Sequence, residues 1–432
     1  MKKYVFAILV SFFLFYPSQG FAEVKEIVSE GTYNMGDGET PGVAESRALL
    51  NAKRTALEQA GTYVESYSKV INLQLSEDEI QAVASGLMEV ETLEKKRTIV
   101  GDGFRFWVKI KAKVYLDKTT ELANRIKPKD KTFVDDYKKI QEAYDKTQKD
   151  IEELKRQLKE AMGEKEKKQV KAKIAVEERS FEAKEWFDKG YQHGLNKEYD
   201  KEVEAYTNAI ALNLNYGDAY YNRGLAYYNK GQYDMAIEDY TSAIVIDPNA
   251  ADAHYNRGLA HYNKGQYDMA IEDYTNAIAL TPNYADAYYN RGLAYYNKGQ
   301  YDRAIENYTN AIALTPNYAD AYYNRGLAYY NKGQYDRAIE NYTSAVAVNP
   351  NYADAYYNRG LAYYNKGQYD MAIEDYTSAI VIDPNAADAI YNRGLAYQQK
   401  GNMGRATSDY QKACDLGFKL ACEGLQKTLK NR

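Results

Sequence analysis

Histidine and cysteine are scarce, at three and two residues in 432. His193, His254 and His261 are too few and too badly spaced for a metal site, and no Ser/His/Asp or Cys/His arrangement accompanies them. No glycine loop of the phosphate-binding kind is present. Catalytic residues, a metal and a cofactor are therefore all expected to be absent. Positive charge is also in deficit, with 56 Lys and Arg against 61 Asp and Glu, which argues against nucleic acid as a partner. Beyond residue 22 no run is apolar enough to cross a membrane.

Residues 1–22 stand apart. Lys2 and Lys3 precede an apolar run, Tyr4–Tyr16, and Gly20-Phe21-Ala22 supplies the small residues that a signal peptidase needs. This run of 13 residues falls short of the ~20 that span a bilayer, so the segment reads as a cleaved secretory signal. No cysteine follows it, so the exported chain is not expected to be a lipoprotein. Loss of Lys2 and Lys3 takes the net charge from −5 to −7.

Residues 23–127 read as a small α+β domain. A strand is expected over Val24–Tyr33, with Gly36-Asp37-Gly38 and Pro41 as turn signals. A helix then runs from Pro41 to about Ala60, with Leu49, Ala52, Ala56, Leu57 and Ala60 on one side and Gly61 closing it. A short helix over Ser76–Met88 precedes a strand over Glu89–Val100. The turn Gly101-Asp102-Gly103 joins that strand to an alternating one, in which Phe106, Val108, Ile110, Ala112 and Val114 face one way. Lys109, Lys111 and Lys113 make a basic ridge on the other face, read as a solvated surface.

Residues 128–182 shift to Lys and Glu. Tyr137, Ile140, Tyr144, Thr147, Ile151, Leu154, Leu158 and Ala161 follow a 3.5-residue repeat until Gly163. Two readings stay open: a coiled-coil dimer, or a long helix packed back on its own chain.

From residue 183 the chain repeats itself. Ala285–Tyr318 recurs nearly unchanged as Ala319–Tyr352, and weaker copies begin at Ala183, Gly217, Ala251, Ala353 and Ala387. A fixed period of 34 residues marks a stacked solenoid. Within one unit Ala287, Tyr288, Gly292 and Tyr295 have helical spacing, Gly299 ends that helix, Asp302 can cap a second, and Pro316 stops it. Each unit is a helical hairpin that cannot bury its apolar face alone, so neighbours must stack.

Small Gly292 against Ala304 and Ala311, the tyrosines and the closing Pro316 resemble the tetratricopeptide repeat. The resemblance implies a mainly α chain: a right-handed tetratricopeptide α-solenoid of seven repeats over 183–420, with a C-terminal capping helix over 421–432. It also implies that the first helices line a concave groove binding a peptide or protein ligand. Asn222, Asn256, Asn290, Asn324, Asn358 and Asn392 would form a ladder along that groove, each amide able to donate to and accept from one peptide unit. Tyr221, Tyr255, Tyr289, Tyr323 and Tyr357 flank them, with Tyr228, Tyr262, Tyr296, Tyr330 and Tyr364 beyond. The asparagines could equally solvate an empty groove or bond neighbouring repeats. Tyr295, Tyr308 and their equivalents are expected in the core. His254 and His261 replace tyrosines and read as packing variants. Arg223, Arg257, Arg291, Arg325, Arg359 and Arg393 stand where the family has an apolar residue. A pair with Asp239, Asp273, Asp375 or Asp409 of the same unit is inferred, retuned where Asn307 and Asn341 meet Arg303 and Arg337.

The strings AESRALLNAKRTALEQAG (44–61) and GDGFRFWVKIKAKV (101–114) resemble the N-terminal module of flagellar-assembly protein T and related envelope proteins. That likeness implies a periplasmic or outer-envelope place in a Gram-negative-type bacterium. ACDLGFKLACEGL resembles the cysteine spacing of Sel1-like repeats, which implies a disulfide between Cys414 and Cys422; an even cysteine count behind a secretory signal favours it. Two function classes follow: a non-enzymatic interaction scaffold, or a structural part of an envelope or flagellar assembly with the solenoid as spacer.

Overall fold

The computed structural model describes residues 24–36, 39–70, 75, 77–100, 103–120, 123 and 132–430. The expected signal and the turn residues Asp37, Gly38, Gly101 and Asp102 lie outside the described residues. The chain divides into two compact units, one ending at Asn222 and one beginning at Arg223.

In the first unit β1 (Val24–Asn34), β2 (Met88–Val100) and β3 (Gly103–Tyr115) form one antiparallel sheet in the order β1-β3-β2. The alternation in β3 buries Val108, Ile110, Ala112 and Val114 completely. Helix α1 (Pro41–Val70) covers that face with Ala44, Ala48, Ala52, Ala56 and Ala60, an i, i+4 stripe. Leu49 and Leu57 pack at its margin. The approach is tightest at Gly31, where a Cβ would lie 2.1 Å from the Ala48 carbonyl oxygen.

Gly61 does not close α1, which continues for nine residues to Val70. Its smallness answers a different need: a Cβ there would come within 2.7 Å of Gln81 Nε2 on α2 (Glu77–Leu87). The lysine ridge is charge-balanced, with Lys109 on Glu30 at 3.3 Å, Lys111 on Glu26 at 2.7 Å, and Glu89 opposite Lys113 across the β2 pairing.

Helices α3 (Thr132–Glu160) and α4 (Glu164–Leu195) form a hairpin. Ile140, Tyr144, Thr147, Ile151, Leu158 and Ala161 are buried along it, and Tyr144 meets Phe181 edge-on at 5.5 Å. The side chain of Tyr137 lies outside the described residues. Of the two readings of the heptad pattern, the helix packed back on its own chain is the one observed. Because nothing breaks α4 at residue 182, the first helix of the first repeat is its continuation. That helix ends where Lys197 adopts φ 58°, a place that glycine fills in later repeats.

The hairpin is joined to the sheet domain by buried charge. Glu39, whose side chain is fully buried, accepts from Arg47 at 2.8 Å, Tyr33 at 2.9 Å and Gly36 N at 2.6 Å, and pairs with Lys155 of α3 at 2.7 Å. Burial holds the Lys155 ammonium below its usual range, against the pull of Glu39.

The second unit is a tandem array of helix pairs. Tyr233–Ile246 is followed by Ala251–Asn263 with Tyr267–Leu280, Ala285–Asn297 with Tyr301–Leu314, and Ala319–Asn331 with Tyr335–Val348. Ala353–Asn365 with Tyr369–Ile382 and Ala387–Gln399 with Met403–Asp415 complete it, and Lys419–Lys430 closes it two residues earlier than expected. Ala287, Ala294, Ala304 and Ala311 show no exposure, and a Cβ on Gly292 would stand 2.7 Å from Tyr308 Cε1. Tyr308 is fully buried as expected, whereas Tyr295 is half-buried.

Gly299 takes φ 71° between the two helices, the left-handed geometry expected of it. Asp302 does not cap the second helix. Gln300 holds that position without a side-chain capping bond, and Asp302, in the first turn where the helix dipole favours an anion, binds Lys332 of the next repeat.

Candidate functional site

The first-helix face is built from residues at i, i+3, i+4 and i+11 of each first helix, so Asp286, Tyr289, Asn290 and Asn297 share one side. Asn290 Nδ2 donates to the Asp286 carbonyl oxygen one turn earlier, at 2.9 Å, and to the Tyr255 hydroxyl of the preceding repeat, at 3.0 Å. Asn324, Asn358 and Asn392 repeat this pattern with Tyr289, Tyr323 and Tyr357, each at 3.0 Å. Asn222, in the first unit, donates to the Asp218 carbonyl at 2.8 Å, and Asn256 to that of Asp252 at 2.9 Å.

The asparagines therefore bond neighbouring repeats, one of the alternatives open in the sequence. Their donors are engaged by the protein. Among the described residues, Oδ1 of Asn290, Asn324 and Asn358 accepts no hydrogen bond. Burial raises the Tyr255, Tyr289 and Tyr323 hydroxyls well above the ordinary phenol range and pushes Tyr357 up to about 12, with nearby aspartates adding.

A second ladder was missed in the sequence. Asn263, Asn297, Asn331 and Asn365 donate at 2.7 Å to the hydroxyls of Tyr228, Tyr262, Tyr296 and Tyr330. The signal was available, since an asparagine closes every YYN or HYN string of these first helices. Tyr364, for which position 399 is glutamine, meets Tyr369 edge-on at 5.3 Å.

The arginines are staples, as inferred. Arg223, Arg359 and Arg393 bind Asp239, Asp375 and Asp409 of their own repeats through two nitrogens at 2.7–2.9 Å. Arg257 does the same with Asp273. Arg257, Arg291, Arg325, Arg359 and Arg393 also give Nη1 to a threonine on the second helix of the preceding repeat, at 2.9–3.1 Å. In the two middle repeats the partners are Asn307 and Asn341, while Arg303 and Arg337 lie over the Tyr295 and Tyr329 rings. His254 and His261 are buried beside Asp273, at 3.7 and 3.8 Å, in the tyrosine positions.

Cys414 and Cys422 lie at disulfide-bonding distance with their Cα atoms 4.8 Å apart, tying Met403–Asp415 to the closing helix beside Tyr391, Phe418 and Ala421. Among the described residues no group of three or more His, Cys, Asp or Glu could hold a metal, and no helix is long and apolar enough to cross a membrane.

The model of the TPR repeat matches residues 224–265, 262–299 and 294–333, and that of the tetratricopeptide repeat matches 323–387 and 363–417. No curated protein matched the chain. Among solved structures, MamA is 35% identical over 38% of this chain and 96% of its own, at a TM-score of 0.37. YrrB, described as a TPR protein with an unusual peptide-binding site, is 27% identical over 44% of this chain and 98% of its own, at 0.40. The C-terminal part of a TPR repeat-containing protein from Cytophaga hutchinsonii is 22% identical over 55% of this chain and 99% of its own, at 0.50, a likeness of fold. With a helical hairpin recurring every 34 residues, a buried Gly–Tyr contact in each and two matching repeat models, residues 224–417 are a run of tetratricopeptide repeats.

Proposed function

We propose that this chain is a non-enzymatic, exported scaffold whose first-helix face binds an extended peptide or protein segment. The observation that carries the reading is the geometry of the asparagine ladder. Asn290, Asn324, Asn358 and Asn392 each commit both Nδ2 hydrogens to the protein and keep Oδ1. The tyrosine that accepts from each keeps its own hydroxyl proton. Each repeat thus offers one acceptor and one donor side by side, the complement of a peptide unit. The protein itself holds these side chains, so little rotamer freedom remains to be lost on binding.

Four such pairs at about 0.5–1.5 kcal/mol per bond supply roughly 4–12 kcal/mol, against roughly 4–15 lost on association. Tyrosine ring contacts must add to them, and micromolar affinity is the expectation. The N-terminal module, through its likeness to flagellar-assembly protein T, would dock on an envelope partner in the periplasm or outer envelope.

A library of extended peptides screened against the full chain tests the reading. Saturable binding is expected, with a loss in Asn290→Ala/Asn324→Ala measured per folded molecule. Absence of any saturable ligand would favour the solenoid as a spacer in an envelope or flagellar assembly.

A further inference from the structure

A carboxylate recurs once per repeat along the same face: Asp252, Asp286, Asp320, Asp354 and Asp388, all exposed. Each lies one turn before a ladder asparagine that bonds its backbone carbonyl, so the carboxylates stand on the ladder's side. They alternate with phenols. The Tyr255 hydroxyl feels the charge of both Asp252 and Asp286, and the Tyr289 hydroxyl that of Asp286 and Asp320. Tyr284, Tyr318 and Tyr352 donate to Asp252, Asp286 and Asp320 at 2.7–2.8 Å.

Among the described residues none of the five carboxylates is ion-paired. The cations of the repeats are taken elsewhere: Lys264, Lys298, Lys332, Lys366 and Lys400 bind second-helix aspartates, and the arginines bind Asp, Asn and Thr. An uncompensated negative row is left facing outward.

A second feature lies beneath it. The hydroxyls of Tyr274, Tyr308, Tyr342 and Tyr376, on fully buried side chains, have no hydrogen-bond partner among the described residues. Their rings pack 5.8–5.9 Å from those of the ladder tyrosines Tyr255, Tyr289, Tyr323 and Tyr357. Orphaned buried hydroxyls are costly and rare in native proteins. These four leave one unsatisfied polar group per repeat beneath the same row.

We propose that this face binds a cationic extended polypeptide, whose lysine or arginine side chains meet one carboxylate per repeat and the flanking tyrosine rings. The inference rests on the peptide-groove reading and adds the sign of the partner's charge. Carboxylates supply Coulomb attraction, tyrosine faces supply cation–π contact, and asparagine Oδ1 supplies acceptors for ammonium or guanidinium protons. An acidic partner would be repelled along the whole row.

Fluorescence anisotropy with the full chain and labelled peptides of equal length, alternating Lys-Ala, Ser-Ala or Glu-Ala, tests it. The Lys-Ala peptide should bind about tenfold tighter than Ser-Ala at low salt, and added salt should erode the difference. Asp286→Asn/Asp320→Asn/Asp354→Asn should weaken Lys-Ala binding by about tenfold with the circular dichroism unchanged. Glu306→Gln/Glu340→Gln/Glu374→Gln, exposed on the second helices, should leave it within about twofold. If Ser-Ala binds as tightly as Lys-Ala, the charge inference falls and the groove reading stands. If the glutamate variant weakens binding as much as the aspartate variant, the cations sit elsewhere and the inference is overturned. If no peptide binds, both readings fail together.

Discussion

Replacing Tyr308 by phenylalanine should make the protein more stable. The substitution removes one oxygen from a fully buried side chain and leaves the ring where it is, against Gly292 and 5.9 Å from the Tyr289 ring. That oxygen has no hydrogen-bond partner among the described residues, so no bond is lost while an unsatisfied buried group disappears. Such a group costs about 1–3 kcal/mol, or roughly 2–4 °C of melting temperature per kcal/mol in a unit of this size. Tyr410 supplies the opposite control, since its hydroxyl donates to Gln398 Oε1 at 2.6 Å. Tyr410→Phe should cost about 0.5–1.5 kcal/mol. Stacked repeats open piecewise, so hydrogen exchange within residues 285–352 should be measured beside the thermal melt. If both variants are destabilised alike, the Tyr308 hydroxyl has a partner and the reasoning about the buried row fails.

Gly292→Val should cost more than Asn290→Ala, because its side chain collides with Tyr308 at 2.7 Å; overpacking costs about 1–3 kcal/mol, and sometimes more. The loss should stay within adjoining repeats, leaving unchanged the fluorescence melt of Trp107 and Trp186, the two tryptophans, both in the first unit. Burial pushes the Glu202 carboxyl up to about 8, so its folded pKa lies above the unfolded value of about 4.3. Its contribution is complete below about pH 4.3 and is lost as the pH rises to about 8, at no more than about 1.4 kcal/mol per pH unit. Denaturant melts of the first unit across that window should show the slope, and Glu202→Gln should flatten it. Closing the nine-residue loop from Cys414 to Cys422 should contribute about 2.5 kcal/mol by chain entropy. Reduction should raise hydrogen exchange in residues 387–426 and leave 233–350 nearly unaffected; two alkylatable thiols per unreduced chain would refute the bridge.

What was legible in the sequence was what acts inside one repeat. Gly299 in a left-handed turn, Pro316 after the second helix and the Arg–Asp pair within a unit are each set by residues close in the same hairpin. The two asparagine ladders and the Lys–Asp staples span 35 and 30 residues. Those spacings arise where one helix crosses the next, so the 34-residue period does not display them. The same limit explains Asp302, suited by type to a cap but placed within reach of Lys332. Gly61 misled for a related reason: glycine also serves close helix contact, and only the position of Gln81 distinguishes the two uses. The solvated lysine face of β3 followed from alternation alone, and the glutamates that balance its charge needed the strand register.

The sameness of the joints between middle repeats makes the length of the array negotiable. Deleting residues 319–352 would bring Ala353 directly after Tyr318, and every severed contact has a ready substitute. Asn358 would find Tyr289 in place of Tyr323, Arg359 would find Thr309 in place of Thr343, and Lys366 would find Asp302 in place of Asp336. No new junction has to be invented, and duplicating the same block closes equally well. Such a chain can lengthen or shorten by whole 34-residue units without loss of these contacts. Each step would add or remove one carboxylate and one asparagine–tyrosine pair, so the reach of the face, and with it the avidity of the proposed binding, would vary in discrete increments.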